Sequence, residues 1–306
     1  MDQKASLRGG LYLLLGSVIW GFAFAAQRAG MDSMQPLSFN GIRNLMAGLC
    51  LIPVCAFAEK RTPSLRPASA GQKALQRRGG LLCGVFLFLA SSLQQAGLVE
   101  TTAGKAGFIT ALYVVLVPVF AWLIFRKNPG KWIWLSVLAA LAGLFLLCVP
   151  AGESFSLSRG DLLVLGCAFC FVGQILCIDY FSPRVSPVRL SRDQFLVCGL
   201  LGTVCSLFTE TITWEGIRQA LPALLYAGIL SGAVGYTLQI LGQRLVDPAV
   251  ASLLMCMESV FSVLGGALVL GEALSSRELF GCLIMFTAVI LAQLSPLLKR
   301  KAPVHA

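Results

Sequence analysis

Charged residues are scarce in this chain. Only 12% of its 306 residues are Asp, Glu, Lys or Arg, whereas soluble proteins carry about 25%. The single histidine, His305, lies in the C-terminal tail, so we expect no histidine-based catalysis or metal binding. The low charge, together with 57% hydrophobic residues and repeated long apolar runs, predicts an all-α integral membrane protein and makes a soluble α/β protein a distant alternative.

Patterns typical of enzymes and ATP-driven pumps are missing as well. The chain has no Gly-rich phosphate-binding loop, no paired-carboxylate arrangement and no metal-binding cluster. Its eleven cysteines lie nearly all inside apolar runs, where they behave as small hydrophobic residues. Cys167 and Cys170 form one C-x-x-C pair, but a zinc site needs a second pair or histidines. We therefore expect no enzyme activity, no catalytic residue, no cofactor and no metal.

Long apolar runs are what the chain has in abundance. A helix of about 20 apolar residues crosses the roughly 30 Å hydrocarbon core of a bilayer. We predict ten transmembrane helices, at residues 9–27, 37–58, 80–98, 103–125, 131–149, 161–181, 193–209, 219–242, 248–270 and 277–298.

Basic residues are distributed unevenly among the loops between these spans. If the N-terminus is inside, the inner segments hold 18 of the 24 Lys and Arg and the outer loops hold 4. Under the positive-inside rule, this places both termini in the cytoplasm of a bacterial-type inner membrane. The net charge of +10 thus indicates orientation in the lipid bilayer, and we expect no nucleic-acid partner.

The second half of the sequence repeats the first. An offset of 145 residues aligns Gln94 with Gln239 and Tyr113 with Glu258, and an offset of about 150 near the start aligns Trp20 with Cys170. Two halves with five crossings each must lie in the membrane with opposite orientations, as recurs in secondary transporters. We predict two inverted five-helix repeats, residues 1–150 and 151–306, that together form one membrane domain.

Several stretches carry a family resemblance. The run LQQAGLVETTAGKAGFITALYVVL at 93–116 resembles a characteristic stretch of EamA-type transporters of the drug/metabolite transporter superfamily, as do 258–261, 270–272 and Gly281. The resemblance implies ten transmembrane helices, alternating access through a central cavity, and movement of small metabolites, often outward. The two halves differ at one notable position of the repeat: the first half has Lys127 where the second half has Glu272. Whatever role Glu272 has in the second half is therefore not repeated in the first.

Glu258 is the leading candidate for a binding residue. It lies near the middle of the ninth span, eleven positions after Asp247. A charge at that depth costs roughly 2.5–3.5 kcal/mol on insertion scales, so it is expected to face a polar interior. Its carboxyl could hold a cationic group of a substrate, carry a proton, or hydrogen-bond to a neighbouring helix.

Arg43 and Asn44 suggest a second polar position in span 2. Arg43 lies roughly 9 Å below the outer start of the span, close enough to reach toward the membrane surface. With Asn40 and Asn44 on neighbouring turns, a polar face toward a cavity is an equal alternative. There the guanidinium could hold a carboxylate.

Three further residues are candidates for the cavity wall. Trp20 and Tyr113 are aromatic residues in the middle of their spans, and Gln174 lies deep in span 6. Packing between helices is the alternative for each. Other polar residues are expected to have ordinary roles. Solvated or helix-bonding amides at span ends are Gln94, Gln95, Gln239 and Gln243. Lys105 is expected to reach toward the outer surface, and Pro118 to kink its helix.

The sequence leads to one hypothesis for function. The chain is expected to be a secondary transporter, an exporter of a small amino-acid-like metabolite, that works by alternating access. Glu258, Arg43, Tyr113, Trp20, Gln174 and Asn44 are the predicted substrate-binding residues. The alternatives are a non-transporting receptor or scaffold and a passive channel with the same fold.

Overall fold

Helices form all the regular secondary structure in the part of the chain that the structure describes. The computed structural model describes residues 3–65, 67, 69–101, 103–126, 128–149, 158–270 and 275–300. In the first half, helices follow one another with short connections: α1 (Gln3–Met31), α2 (Pro36–Arg61), α3 (Ala70–Glu100), α4 (Ala103–Ala111), α5 (Tyr113–Phe125) and α6 (Lys131–Cys148).

The second half continues in the same way and includes one π-helical segment, Tyr226–Tyr236. Its α-helices are α7 (Arg159–Phe181), α8 (Pro187–Thr209), α9 (Trp214–Gln219), α10 (Leu221–Leu225), α11 (Thr237–Gln243), α12 (Pro248–Met255), α13 (Met257–Leu270) and α14 (Ser276–Arg300).

Eight helical segments among the described residues are long and apolar enough to cross a membrane. The prediction of an all-α, multi-span chain is confirmed by these segments. The helix α8 is not among the eight, because polar residues in its first two turns lower its mean hydropathy. The ninth predicted span qualifies only as a shorter apolar helix, Pro248–Leu264. Ten crossings therefore stay a prediction.

Two of the predicted spans are broken at equivalent positions. Leu112 separates α4 from α5, and Cys256 separates α12 from α13. Their backbone angles are nearly identical, φ −58° and ψ −15° at Leu112 and φ −60° and ψ −16° at Cys256. Such a ψ is closer to a 3₁₀ turn than to an α-helix. The Sγ of Cys256 lies 3.8 Å from the carbonyl oxygen of Ala111, so the two breaks touch each other.

Pro118 lies inside α5, six residues after the break at Leu112. The kink predicted at Pro118 stays a prediction. The second half breaks within one residue of the same point of the repeat, although Val263 stands where the first half has Pro118. A proline is therefore not required for the break.

The helices α2 and α8 pack against each other in opposite directions. A Cβ added to Gly48 would lie 2.8 Å from the Leu196 side chain, and one added to Gly199 would lie 2.5 Å from the backbone nitrogen of Leu45. Counted from the proline that begins each helix, Gly48 corresponds to Gly199 and Leu45 to Leu196. The contacts are thus reciprocal, as in a two-fold arrangement.

A second set of contacts follows the same relation. The backbones of α3 and α7 meet at Gly97 and Gly160, and those of α11 and α1 meet at Gly242 and Gly9. Gly97 corresponds to Gly242 at the offset of 145, and Gly9 corresponds to Gly160 at an offset of 151. The helices of each half therefore pack against those of the other half, and the shared core lies between them.

Each end of the α2–α8 pair is held by a glutamate. Glu210, which follows α8, accepts hydrogen bonds from the backbone N–H groups of Leu37 at 2.8 Å and Ser38 at 2.6 Å. At the opposite end, Glu59 in α2 pairs with Arg189 in the first turn of α8. A carboxylate at a helix N-terminus also interacts favourably with the helix dipole. These two contacts fix α2 and α8 as one unit.

Candidate functional site

One cavity in the interior is lined by residues from most of the long helices. Its empty volume is about 740 Å³, including space open to solvent. The cavity brings together all six residues that the sequence analysis singles out, whose role in binding stays a prediction: Trp20, Arg43, Asn44, Tyr113, Gln174 and Glu258.

Glu258 is the acidic group of the cavity. It lies in the first turn of α13, directly after the break at Cys256. Its half-buried side chain lines the cavity and interacts with the hydroxyl of Tyr113. Among the described residues, no Lys or Arg forms an ion pair with this carboxyl. The carboxylate is therefore available to a cationic group of a ligand.

Arg43 is the basic group of the cavity. Its side chain is only 8% exposed and lines the cavity, so it does not reach toward the membrane surface. The Oδ1 of Asn40 accepts hydrogen bonds from its Nε at 3.1 Å and from its Nη2 at 3.0 Å. No Asp or Glu of the described residues pairs with Arg43. The guanidinium is thus oriented by an amide while its charge stays uncompensated by protein.

An aromatic surface lies between the two charges. The rings of Trp20 and Tyr236 meet edge to face at 4.8 Å between centroids, and those of Tyr236 and Phe195 meet at 5.3 Å. Tyr236 interacts electrostatically with both Arg43 and Glu258. The nonpolar part of a ligand that touches both charges would therefore lie against these rings.

Asn44 and Gln174 are fixed by hydrogen bonds of their own. The Nδ2 of Asn44 donates to the backbone carbonyl of Asn40 at 2.7 Å and to its Oδ1 at 2.8 Å. Gln174 donates to the Oε1 of Gln194 at 3.3 Å and accepts from the Nε2 of Gln239 at 3.4 Å. Both residues are buried, so two groups of hydrogen-bonded amides contribute to the wall of the cavity.

Sequence reasoning misses several polar residues of the wall. It assigns Gln94 and Gln239 to span ends as solvated or helix-bonding amides. They do bond to other helices, but they are also 6% and 3% exposed and line the cavity, which the sequence does not show. Their alignment on the offset of 145 was the signal that could have found them. The side chain of Lys105 and all of Glu272 lie outside the described part of the chain. Other missed wall residues are Ser91, Thr110, Ser231 and Tyr236.

The arrangement suits the binding of a small molecule with two opposite charges. One guanidinium, one carboxylate, an aromatic surface and several amides face the same enclosed space. Among the described residues, no three His, Cys, Asp or Glu side chains are grouped so that they could hold a metal ion.

Comparison with known proteins identifies the family. The EamA-like transporter family matches the chain twice, at residues 7–149 and 158–294. The chain belongs to this family. The match to an EamA-like transporter confirms the resemblance in the sequence and identifies a multi-pass membrane protein with two EamA repeats.

Relatives in distant organisms are similar to this EamA chain over nearly its whole length. An uncharacterized transporter of Archaeoglobus fulgidus is 31% identical over 284 residues, which cover 93% of this chain and 85% of the relative. An uncharacterized inner membrane transporter of Escherichia coli strain K12, YedA, is 28% identical over 311 residues, which cover 99% and 96%. Both are described as transporters.

A solved crystal structure of another protein has the same fold as this EamA chain. It aligns with a TM-score of 0.75 at 17% sequence identity, over 99% of this chain and 100% of the other. At this level of identity, the likeness extends to the fold alone.

Proposed function

We propose that the chain is a secondary transporter that moves a small zwitterionic metabolite, an amino acid or a related compound, out of the cell. One observation carries this proposal: Arg43 and Glu258 line the same cavity, and neither has an ion-pair partner among the described residues. Charges removed from water are costly unless they are paired. A ligand with a carboxylate and an ammonium group would compensate both.

The geometry around each charge supports this choice. Asn40 engages the Nε and Nη2 of Arg43, and the remaining N–H groups of the guanidinium can donate to a carboxylate. Glu258 is half-buried at the cavity wall, where a cationic group can approach it. The carboxylate of the ligand would bind at α2 and its ammonium at α13.

The proposed movement is alternating access by two inverted repeats. The antiparallel, reciprocal contacts of α2 with α8 support an inverted relation between the halves. Repeats of this kind hold the substrate near the membrane midplane and rock around it. Ten crossings, cytoplasmic termini and a bacterial-type inner membrane belong to this proposal, and export follows the tendency of the family.

Competition against transport in proteoliposomes tests the charge assignment. For an amino acid that the wild-type chain transports, its amide lacks the carboxylate and its N-acetyl derivative lacks the ammonium group. We expect both derivatives to compete at least about tenfold more weakly than the parent compound, because each lost charge-assisted hydrogen bond contributes about 1.5–3 kcal/mol.

Matched variants assign each charge to its residue. In Arg43→Gln, the amino acid should lose its advantage over the amide but keep its advantage over the N-acetyl derivative. In Glu258→Gln, the pattern should be the reverse. Equal competition by all three compounds on the wild-type chain would overturn the zwitterion proposal. Binding without flux would instead indicate a receptor or scaffold, and flux that does not saturate would indicate a passive channel.

A further inference from the structure

Three buried glutamines from three helices close one end of the cavity. Gln239 in α11 donates to Gln174 in α7, which donates to Gln194 in α8. All three are at most 3% exposed. Gln174 and Gln239 line the cavity, whereas Gln194 lies behind them. We call these three residues the amide chain. They lie toward the end of the bundle where α7 ends and α8 begins, which is cytoplasmic in the predicted orientation.

The amide chain is incompletely bonded. Its two hydrogen bonds measure 3.4 and 3.3 Å, longer than the usual 2.9–3.0 Å. Among the described residues, the Oε1 of Gln239 and the Nε2 of Gln194 have no hydrogen-bond partner, which is unfavourable for buried amide atoms. Opening this end to water would satisfy both atoms. The closed arrangement is therefore held only weakly.

The equivalent residues at the other end of the cavity are separate. The repeat relation pairs Gln239 with Gln94, and pairs Gln194 with Arg43. Gln94 donates to Thr110 at 3.2 Å, whereas Arg43 donates to Asn40. No hydrogen bond between Arg43 and Gln94 occurs in the described structure, and both line the cavity. At one end the two repeat positions are linked through Gln174, and at the other end no such link occurs among the described residues.

We propose that the amide chain is the gate at its end of the cavity, and that Arg43 and Gln94 approach each other when the opposite end closes. The inference rests on the transport function proposed above. In a transporter with inverted repeats, opening one end while closing the other exchanges the conformations of the two halves. Because Arg43 belongs to the opposite gate and also faces the ligand, closure of that gate is coupled to occupancy of the cavity.

Two substitutions of Gln194 should open the gate. Gln194→Leu keeps a similar volume but removes the Oε1 that accepts the hydrogen bond from Gln174, so it weakens the closed end. Gln194→Glu places a carboxylate in the fully buried position, and that charge favours the open, hydrated end. The readout is the labelling of a cysteine reporter at a cavity residue, Ala227→Cys, by a membrane-impermeant maleimide. Reagent is added to right-side-out cells and to inside-out vesicles.

We expect labelling from the amide-chain side to rise roughly threefold to tenfold in both Gln194→Leu and Gln194→Glu, as the energy of one hydrogen bond implies, and labelling from the opposite side not to rise. The chain without the reporter gives the background of the eleven native cysteines. Gln95 is the matched control, since it is fully buried with unpaired amide atoms and does not line the cavity. Gln95→Leu and Gln95→Glu should leave the sidedness of labelling unchanged.

The gate proposal is overturned if the two Gln194 variants label like the parent or gain labelling equally from both sides. It is also overturned if the Gln95 variants produce the same shifts. If Gln194→Glu is not monodisperse in detergent, Gln194→Leu decides alone, because its labelling from the amide-chain side must rise. The assay needs no substrate, so a chain that fails to transport zwitterions but shows these one-sided shifts contradicts only the substrate assignment.

Discussion

At the scale of single residues, the few buried polar groups determine what the cavity can bind. Asn40 holds the guanidinium of Arg43 in position. Its Oδ1 accepts two hydrogen bonds from the guanidinium, while its Nδ2 donates to the Oγ of Ser91 at 2.9 Å. Asn40 itself is fully buried. It therefore positions the cationic group without being a member of the cavity wall.

Substitution of Asn40 should weaken substrate binding in two distinguishable ways. Asn40→Ala releases the guanidinium, and we expect the apparent affinity for substrate to fall about tenfold, since the two charge-assisted hydrogen bonds that orient the guanidinium are lost. Asn40→Asp keeps the geometry but places a carboxylate against Arg43, which competes with the ligand, so the loss should be larger. Substrate binding to purified protein measures both. An aspartate variant that binds as well as wild type would contradict a role of Arg43 in holding a carboxylate.

Gln95 should be dispensable for function and unfavourable for stability. Both of its amide atoms are buried without a hydrogen-bond partner, and an unsatisfied buried polar group costs about 1–3 kcal/mol. Gln95→Leu should therefore raise the midpoint of thermal unfolding in detergent and leave transport unchanged. A lower midpoint would show that this amide makes an interaction, for example with water, that stabilises the fold.

The sequence predicts some of these residues and not others for a physical reason. Glu258 and Arg43 stand out because a charge inside an apolar run is costly. Tyr236 and Gln239 do not stand out, because aromatic and amide side chains are common where helices pack or end. Only the three-dimensional arrangement shows that they line the same cavity.

At the scale of helices, the ends of α2 and α8 carry a large share of the specific contacts. Glu210 satisfies two N–H groups of the first turn of α2 that have no partner within the helix. The proline that starts α2 and the apolar runs are readable in the sequence. The residue that bonds to the start of α2 cannot be read from the sequence, because Glu210 is far away along the chain.

Removal of the Glu210 carboxylate should destabilise the protein. Glu210→Ala leaves the N–H groups of Leu37 and Ser38 without their acceptors, and hydrogen bonds to charged groups contribute about 1.5–3 kcal/mol. We expect a loss of this size in the free energy of unfolding. Glu215→Ala is the control, because Glu215 is 56% exposed and contacts Arg218 and Gln219 nearby in the chain, which predicts a change of about 0–1 kcal/mol. Equal losses in both variants would contradict the capping role.

The helix breaks show what apolar patterning cannot predict. The sequence around Leu112 and Cys256 is apolar on both sides, so it predicts a continuous span, and the nearby Pro118 suggests a different position for the kink. The two breaks touch each other through Cys256 and Ala111. Tyr113 and Glu258 each follow a break, which places these two residues at the cavity.

At the scale of the whole molecule, the two halves form one structure because their helices alternate in space. α2 packs on α8 and α3 packs on α7, so neither half encloses the cavity alone. The offsets of 145 and about 150 predict the pairing of the halves. They do not predict which helices touch. A sequence repeat shows which helices of the two halves are equivalent, but not which helices lie next to each other.

The basic residues predict the orientation of the whole molecule, and this prediction can be tested directly. With 18 of 24 Lys and Arg in the predicted inner segments and 4 in the predicted outer loops, the positive-inside rule predicts that the amide-chain end of the cavity faces the cytoplasm. A fluorescent protein fused after Ala306 should fluoresce, because it folds inside the cell. Alkaline phosphatase inserted in the 210–213 connection should be active, because it requires export. Active phosphatase after Ala306, with no activity in the 210–213 connection, would reverse the orientation. The amide chain would then become the outer gate, while the residues of the cavity kept their roles.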